Sequence, residues 1–394
     1  MEKILTIISE YNPMHFGHLY QLEESVNLVN PDYKVAIISG NFVQRGEPSI
    51  INKWDKTKIA LHYGFDLVIE LPVVYAISSA ENFASGAIKI ANLIGTTHLS
   101  FGSEIGDIDK LRKLSTLINN SPDYIDLVKD KISRGYSYPK SQEMAINELF
   151  PKEFKGICAP NNILGIEYLK AIEKQDCDIN PITIKRNAQY ASSSEIRDSI
   201  RKNEESDDSL PEYTQDILEE NKNQGSLVSS LKAFEKEIIY ILRRTPIEEL
   251  SVFPDLTSPL VKRFKSASSV CNTIEELIYK IKNKSITQAR IQRILLYILL
   301  NITKEDMEIS KNELPYIRVL GASAKGKRLL SHISMNNHEI VTSVNSYELR
   351  CANENLMRLL NIDKFATDIY TLAYERNSMT GLDYTTKLTS YSVR

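Results

Sequence analysis

The sequence predicts a doubly wound α/β domain, in which a parallel sheet is covered by helices on both faces, followed by a mainly α-helical domain. Short runs of apolar, β-branched residues alternate in the first half of the chain with stretches that have helical spacing. This alternation is typical of a parallel sheet, and runs that are apolar at consecutive positions are typical of strands buried on both faces. In the second half the helical spacing continues and strand signals become few.

These signals divide the chain into three parts. Strands are predicted at residues 4–8, 35–38, 67–71, 98–101 and 182–184, and helices between them at residues 53–63 and 80–94. The stretch 202–211 is polar and acidic and ends in proline, which predicts a polar linker over residues 203–226 between a first domain, 1–202, and a second, 227–394. Helical spacing in the second domain covers residues 231–244, 273–282, 287–302 and 325–334.

The composition is that of a globular protein. The chain has 394 residues, of which 42% are hydrophobic and 25% charged, so two domains are expected. The apolar run at 294–300 is far shorter than the roughly 18 residues of a membrane span, and the start of the sequence lacks a signal-peptide pattern. We therefore expect no membrane association and a cytoplasmic location. The four scattered cysteines predict neither a disulfide framework nor a zinc site, and the oligomeric state is left open.

The net charge of −3 conceals an asymmetry between the two halves. Residues 226–394 hold 24 Lys and Arg against 18 Asp and Glu, whereas residues 1–225 hold 24 against 33. Within residues 251–300 the count is eight basic to three acidic. Such a bias is typical of a surface that binds a polyanion, but it is also typical of an ordinary solvated helical surface.

A histidine motif follows the first predicted strand. His15-Phe16-Gly17-His18 opens an amphipathic helix, and a helix N-terminus offers unpaired amides and a positive dipole to an anion. Gly17 would let a phosphate approach closely, and His15 and His18, three residues apart, can donate to an α-phosphate as negative charge develops on it. The alternatives are a pair of capping histidines or half of a metal site, which would need further ligands.

A second cluster follows the last predicted strand of the first domain. Ser192, Ser193 and Ser194 can cap a new helix and present hydroxyls and amides to terminal phosphates, with Lys185 or Arg186 adding positive charge. By itself, a serine-rich helix start is usually an ordinary cap.

Together the two motifs resemble the nucleotidyltransferase branch of the HIGH superfamily, which has a Rossmann-like fold and pairs an HxGH motif with an ISSTxIR-like motif. Residues 191–197 carry the second motif here. Further strings resemble the tRNA(Met) cytidine acetate ligase family in particular. They lie at residues 10–18, 40–48, 101–104, 160–165 and 316–321.

The resemblance implies an enzyme that joins acetate to ATP to form acetyl-adenylate and then acetylates the exocyclic amine of the wobble cytidine of elongator tRNA(Met). His15 and His18 would act on the α-phosphate, Arg186 and the serines would hold the pyrophosphate, and Mg²⁺ would bridge phosphate oxygens without a protein metal site. The implied ATP-binding residues are Ile7, Ser9, Glu10, Tyr11, Asn12, Pro13, His15, Gly17, His18, Gly102, Asn161, Asn162, Arg186, Ser192, Ser193 and Ser194.

Two further groups of residues are expected to contact the other substrates. Arg45 or Lys53 would pair with acetate or the adenylate, although surface salt bridges are an equal alternative. The candidate phosphate contacts for RNA are Lys262, Arg263, Lys265, Arg290, Arg293, Lys325, Lys327 and Arg328.

Two other functions compete with the ligase. One is a metabolic adenylyltransferase that acts on a small phosphorylated metabolite, which would leave the basic second half unexplained. The other is a non-catalytic RNA- or nucleotide-binding module, which is disfavoured because both phosphate motifs are intact.

Overall fold

The structure is a computed structural model that describes residues 2–151, 153–154, 156–202, 204, 207–335, 339–376 and 378–391. Its strands are β1 Ile4–Ser9, β2 Tyr33–Ser39, β3 Phe42–Val43, β4 Glu47–Pro48, β5 Leu67–Leu71, β6 His98–Ser103, β7 Asn180–Lys185, β8 Ile317–Ser323, β9 Ile340–Val341 and β10 Thr389–Tyr391.

Helices connect these strands and form most of the second half. In the first half they are α1 Phe16–Val29, α2 Lys53–His62, α3 Val73–Ala76, α4 Ala80–Leu93, α5 Ile108–Asn120, α6 Pro122–Ser133, α7 Tyr138–Leu149, α8 Pro160–Lys174 and α9 Ser193–Lys202. Beyond these lie α10 Glu212–Gln224, α11 Glu235–Arg244, α12 Ile247–Leu250, α13 Ser258–Ser268, α14 Ile274–Ile281, α15 Gln288–Leu299, α16 Lys304–Asn312, α17 Ala324–Ser334, α18 Val344–Glu348, α19 Glu354–Thr371 and α20 Leu382–Thr385. Two short 3₁₀ turns cover Asp207–Ser209 and Leu231–Phe234.

The main sheet has the strand order β10-β8-β5-β2-β1-β6-β7, with β9 paired to β8. The strands from β5 to β7 in this order are parallel, and β8 runs antiparallel to β5. The order reverses between β1 and its neighbour β6, which is where open α/β sheets bind ligands. The predicted doubly wound α/β fold and its five strands are confirmed.

Both faces of the sheet are buried because alternate residues of each strand face opposite cores. Val35 and Ile37 belong to one apolar cluster, which includes residues of α4 and α8, whereas Ala36 and Ile38 belong to another, which includes residues of α1 and α2. This explains why the strand sequences are apolar at consecutive positions.

The sheet also crosses the predicted domain boundary, which is a finding that the sequence did not indicate. Residues 316–321 were expected in the helical domain, yet residues 317–323 form β8, whose Val68 and Ile69 partners lie in β5. Residues 389–391 then add β10 beside β8. The second half is mainly helical, as predicted, but its strand β8 was not expected from the sequence. Whether the segments 1–202 and 227–394 are separate folding units stays a prediction.

The predicted polar linker is largely helical. Of residues 203–226, Asn203, Glu205 and Ser206 lie outside the described residues, and residues 212–224 form α10. Ile217 and Leu218 are buried against the core that contains α2, and Asn221 Nδ2 donates to Asp55 Oδ2 over 3.0 Å. The apolar positions of α10 were missed because charged and amide residues surround them.

Candidate active site

The site begins in the loop that joins β1 to α1 at the carboxyl edge of the sheet. Tyr11 and Asn12 are buried, and the Asn12–Pro13 peptide bond is cis. The Asn12 side chain accepts a hydrogen bond from the backbone N–H of Ile50 at 2.8 Å. These predicted ATP-binding residues therefore hold the loop in place.

Three more predicted ATP-binding residues come just before this loop, and two of them hold it in place. The side chain of Ile7 is buried in the apolar cluster that includes residues of α1 and α2. Ser9 Oγ accepts a hydrogen bond from the Tyr11 N–H at 3.3 Å. Glu10 Oε1 accepts from the Gln44 N–H at 2.9 Å, which ties the end of β1 to the β3–β4 hairpin. The hairpin carries Arg45, which is exposed, at the same edge.

His15 and His18 form a reciprocal capping box at the start of α1. The N–H of Gly17 donates to Nδ1 of His15 at 3.0 Å, and the N–H of His15 donates to Nδ1 of His18 at 3.2 Å. An imidazole nitrogen that accepts a backbone hydrogen bond carries no proton, so the neutral ring carries its proton on Nε2. Both histidines therefore present an Nε2–H donor. The capping alternative and the phosphate-binding prediction are thus compatible.

The environment keeps both imidazoles neutral. Burial, followed by the positive charges of Arg186 and Arg197, lowers the pKa of His15 to about 4. Burial, then His15 and Arg186, lowers the pKa of His18 well below its ordinary value. The two rings lie with their centroids 3.9 Å apart, a separation that two charged imidazoliums would disfavour.

The serine cluster at the start of α9 contacts the histidines at the start of α1. Ser193 Oγ lies 3.0 Å from Nε2 of His15, although 178 residues separate them. Ser192 caps α9 by accepting from the Glu195 N–H at 3.3 Å, while Glu195 Oε2 accepts from the Ser192 N–H at 2.7 Å. The structure thus joins the two motifs, with Ser194 half-buried in the first turn of the helix and Arg186 exposed just after β7.

Two glycines in the site differ in what surrounds them. A Cβ atom on Gly17 would lie 2.9 Å from Cε1 of His15, so this glycine makes room for the imidazole, where the sequence suggested room for a phosphate. A Cβ atom on Gly102, which lies within β6, would have its nearest neighbour at 3.7 Å. A methyl group at residue 102 would therefore fit against Gln21 and Ile184 at ordinary contact distances.

Asn161 and Asn162 join α8 to the loop after β6. Asn161 Nδ2 donates to Glu104 Oε1 at 2.9 Å, and Asn162 Oδ1 accepts from the Glu104 N–H at 3.0 Å. Asn162 is fully buried, which argues against the predicted contact between its side chain and a nucleotide. Asn161 is half-buried and stays a candidate.

Two buried cations near this edge were not assigned a role from the sequence. The Lys56 ammonium donates to the carbonyls of Glu10, Ser39 and Gly40 at 2.6 to 3.1 Å, so it links the ends of β1 and β2. Arg197 Nη1 donates to the carbonyl of Asn12 at 2.8 Å. The spacing of Lys56 with Ile59 and Ala60 on one face of α2 is the signal that could have marked it as buried.

Lys53 lies where protein carboxylates already satisfy its charge. Its side chain is 0% exposed, and Nζ lies 2.9 Å from both Glu70 Oε2 and Asp383 Oδ1. Arg318 Nη2 also reaches Asp383 at 3.1 Å. This placement argues against the predicted pairing of Lys53 with acetate and leaves Arg45 as the candidate.

The predicted RNA contacts do not form one surface. Lys265 donates to three carbonyls at the end of α11, at 2.6 to 2.9 Å, so its ammonium is occupied. Lys325, Lys327 and Arg328 follow the end of antiparallel β8, beside Asp66 and the start of the parallel strands, which is the edge opposite His15. Their grouping with the other basic residues is therefore not supported.

The remaining basic residues lie on α13 and α15. Lys262 is exposed and Arg263 is half-buried. Arg290 Nη2 lies 3.4 Å from Asp255 Oδ1, and Arg293 Nη1 lies 3.5 Å from the carbonyl of Gln44. Arg293 thus contacts the hairpin that adjoins Glu10, while Arg290, one helical turn away, lines a cleft described below.

Within the described ranges no helix is long and apolar enough to cross a membrane, and no group of three or more His, Cys, Asp and Glu side chains could hold a metal ion. The four cysteines are free thiols.

Comparisons with known proteins identify the family of this chain. The HIGH Nucleotidyl Transferase family matches residues 2–383. A tRNA(Met) cytidine acetate ligase of Thermoanaerobacter sp. (strain X514) is 40% identical and covers 97% of this chain and 98% of its own length, and the ligase of Fervidobacterium nodosum is 34% identical over 98% and 99%. The crystal structure of Thermotoga maritima TmcAL bound with alpha-thio ATP superposes with a TM-score of 0.93 at 30% identity, covering 99% of this chain and 100% of that one.

Proposed function

Because the chain belongs to the tRNA(Met) cytidine acetate ligase family of HIGH nucleotidyl transferases, we propose that it activates acetate with ATP and acetylates a cytidine of tRNA(Met). The bound alpha-thio ATP of the Thermotoga maritima protein supports ATP as the nucleotide. We further propose that the acceptor is the exocyclic amine of the wobble cytidine in the elongator tRNA.

The observation that carries the proposal is the pair of neutral imidazoles with their Nδ1 atoms fixed on the backbone. In the first step an acetate oxygen forms a bond to the α-phosphorus while the bond from that phosphorus to the β-phosphate oxygen breaks, which releases pyrophosphate. Acetate is already an anion, so this step needs no general base, and charge stabilisation dominates. The Nε2–H groups of His15 and His18 are suited to donate to the α-phosphate as its charge increases.

In the second step the cytidine amine attacks the acyl carbon of acetyl-adenylate. A C–N bond forms, the C–O bond to AMP breaks, and the nitrogen loses one proton to solvent. Arg186, which is exposed just after β7, would stabilise pyrophosphate, together with the Ser194 hydroxyl and the amides at the start of α9. Arg45 would face the acetate carboxylate.

Magnesium fits this site as an ion held mainly by the nucleotide. Mg²⁺ commonly needs only one or two carboxylates besides phosphate oxygens, and Glu10 is a carboxylate at this edge of the sheet. When bound, the ion would neutralise phosphate charge.

The RNA surface is proposed to lie in the segment beyond residue 227, on α13 and α15, where Lys262, Arg263, Arg290 and Arg293 lie. A fragment that ends near residue 202 is a poor test of this division, because it lacks β8 and Asp383, the partner of Lys53. Substitutions in the full chain avoid this problem.

Acetate-dependent exchange of labelled pyrophosphate into ATP tests the first step, and mass spectrometry of tRNA(Met) after incubation tests the second. We expect exchange that requires acetate, and His15→Ala or His18→Ala to lower its rate by about 10²-fold or more. His332→Ala is the control, since His332 is an exposed histidine outside the site. Exchange that ignores acetate but responds to a phosphorylated metabolite would instead identify a metabolic adenylyltransferase.

A further inference from the structure

A cleft of about 420 Å³ lies between the α6–α7 turn and the basic helices of the second half. Its lining includes Tyr136 and Tyr138 from the end of the α6–α7 turn, Arg263 from α13 and Arg290 from α15, with Asn283 and Ser285 from the segment between α14 and α15. No residue of the site around His15 lines it. Its volume falls within the range of small-ligand pockets, roughly 300–1,000 Å³.

The aromatic wall is held in place and remains accessible. The N–H of Ser137 donates to the carbonyl of Lys284 at 3.0 Å, which fixes the two tyrosines against the turn at residues 283–286. The Lys284 ammonium lies 5.4 Å from the centre of the Tyr136 ring. Tyr138 is 52% exposed, an unusual degree of exposure for a large ring in a fixed segment.

The arginines of the lining are incompletely satisfied by hydrogen bonds. Arg263 donates to the carbonyl of Lys280 at 3.1 Å, and Arg290 makes only long contacts with Asp255, at 3.3 and 3.4 Å. The Nε atom of Arg290 is buried and has no hydrogen-bond partner in the described part of the chain. The lining contains no acidic side chain, and it lies in the segment with eight basic and three acidic residues.

Tyrosine rings and guanidinium groups that line one cleft are typical surroundings of a bound unpaired nucleotide. A base stacks on an aromatic ring irrespective of its identity, and a guanidinium binds the phosphate through paired N–H groups. We propose that this cleft binds one unpaired nucleotide of the tRNA, other than the cytidine that is acetylated. The inference rests on the proposed function, because it takes RNA as the substrate.

Two substitutions with matched controls test the cleft. Tyr138→Ala removes the stacking surface and should weaken tRNA binding by about tenfold or more, whereas Tyr138→Phe keeps the ring and should stay within about threefold of the parent. Arg263→Ala should lower the slope of log affinity against log salt by about 0.7 to 0.9. Tyr279→Ala, on α14 and 86% exposed outside the cleft, should leave tRNA affinity unchanged.

The readouts separate failure of this inference from failure of the proposed function. A parent protein that neither binds nor acetylates tRNA(Met) overturns the proposed function. A parent that does both, with Tyr138→Ala equal to Tyr279→Ala in affinity, overturns the cleft. Ultraviolet crosslinking of bound tRNA should label the peptide that contains Tyr136 and Tyr138, and its absence there also counts against the cleft.

Titration with free nucleotides tests whether the cleft binds a nucleotide outside RNA. CMP and AMP are titrated into parent protein and Tyr138→Ala by calorimetry, in the presence of saturating ATP to occupy the site around His15. Binding that depends on Tyr138 while tRNA affinity does not would make the cleft a site for a free nucleotide and overturn the RNA assignment. Thermal unfolding and acetate-dependent exchange of each variant report whether the fold is preserved.

Discussion

Ser193 Oγ occupies the place, 3.0 Å from Nε2 of His15, where the acceptor of that imidazole's proton must lie. The same Nε2–H is the donor that we assign to an oxygen of the α-phosphate. The serine and the histidine therefore share one hydrogen bond, and their contributions to catalysis should depend on each other.

A double-mutant cycle tests this dependence. Ser193→Ala removes one neutral partner, so it should lower the exchange rate by about three- to tenfold, against about 10²-fold or more for His15→Ala. The double variant should be hardly slower than His15→Ala, because residues in contact are not additive. If the fold-reductions of the two single variants multiplied in the double variant, Ser193 would act on the nucleotide independently of His15.

The lowered pKa of His15 makes stability depend on pH in a defined direction. An unfolded histidine takes up a proton near pH 6.5, but the folded ring does so only at about pH 4, so the unfolded state binds more protons between these values. The contribution of His15 to the free energy of unfolding is complete above about pH 6.5. It is lost as the pH falls towards 4, and the loss is about 3 kcal/mol at most. Urea unfolding at pH 7.5 and 5 measures it.

His15→Asn is the matched variant for this measurement, because Asn still caps α1 but does not titrate. Its unfolding free energy should fall less than that of the parent over the same pH interval, and NMR titration should find the His15 ring neutral at pH 6. An unchanged pH dependence would contradict the assignment of the shift to His15.

The two glycines of β6 and α8 give a prediction about nucleotide access. Gly102→Ala should fold normally, because the new methyl group has no neighbour within 3.7 Å, but it should raise the KM for ATP by about tenfold if the nucleotide lies against this strand. Gly165→Ala is the contrast, since its Cβ would lie 2.5 Å from the Phe101 ring and should destabilise the fold. Melting temperature and KM are measured on both, and a normal KM for Gly102→Ala would remove this glycine from the site.

Lys53→Met should destabilise the protein by about 3–5 kcal/mol, because it leaves the buried carboxylate of Glu70 without its cation and Asp383 with Arg318 alone. Lys58→Met, which removes a half-exposed partner of Asp55, should cost about 0–1 kcal/mol. Denaturant unfolding compares them. A Lys53→Met protein of normal stability with a strongly raised KM for acetate would restore Lys53 as a substrate contact.

The sequence predicted those features that depend on local patterns. The consecutive apolar residues of β1, β2 and β5 were sufficient to predict the parallel sheet, and the HxGH string lies after β1 at its carboxyl edge, as expected. The contact between His15 and Ser193 could be expected only through the resemblance to a family, since 178 residues separate the two side chains.

What the sequence could not indicate are long-range pairings of charge and strand. Lys53 and Lys265 look like solvated lysines, but Lys53 meets Asp383, 330 residues later, and Lys265 meets the end of α11. Likewise the apolar run of β8 matches a buried helix as well as a strand, and only its pairing with β5 distinguishes the two.

The antiparallel strand β8 has a consequence for the order of synthesis. β5 ends at residue 71, but its partner β8 begins only at residue 317. The carboxylate of Asp383, which pairs with Lys53, is synthesised later still. At the roughly 5–20 residues per second of a translating ribosome, synthesis from residue 71 to residue 383 lasts about 15 to 60 seconds. During that time the nascent chain carries an unpaired edge of β5 and a Lys53–Glu70 ion pair that lacks Asp383, so the sheet that bears the histidines is completed only late in translation.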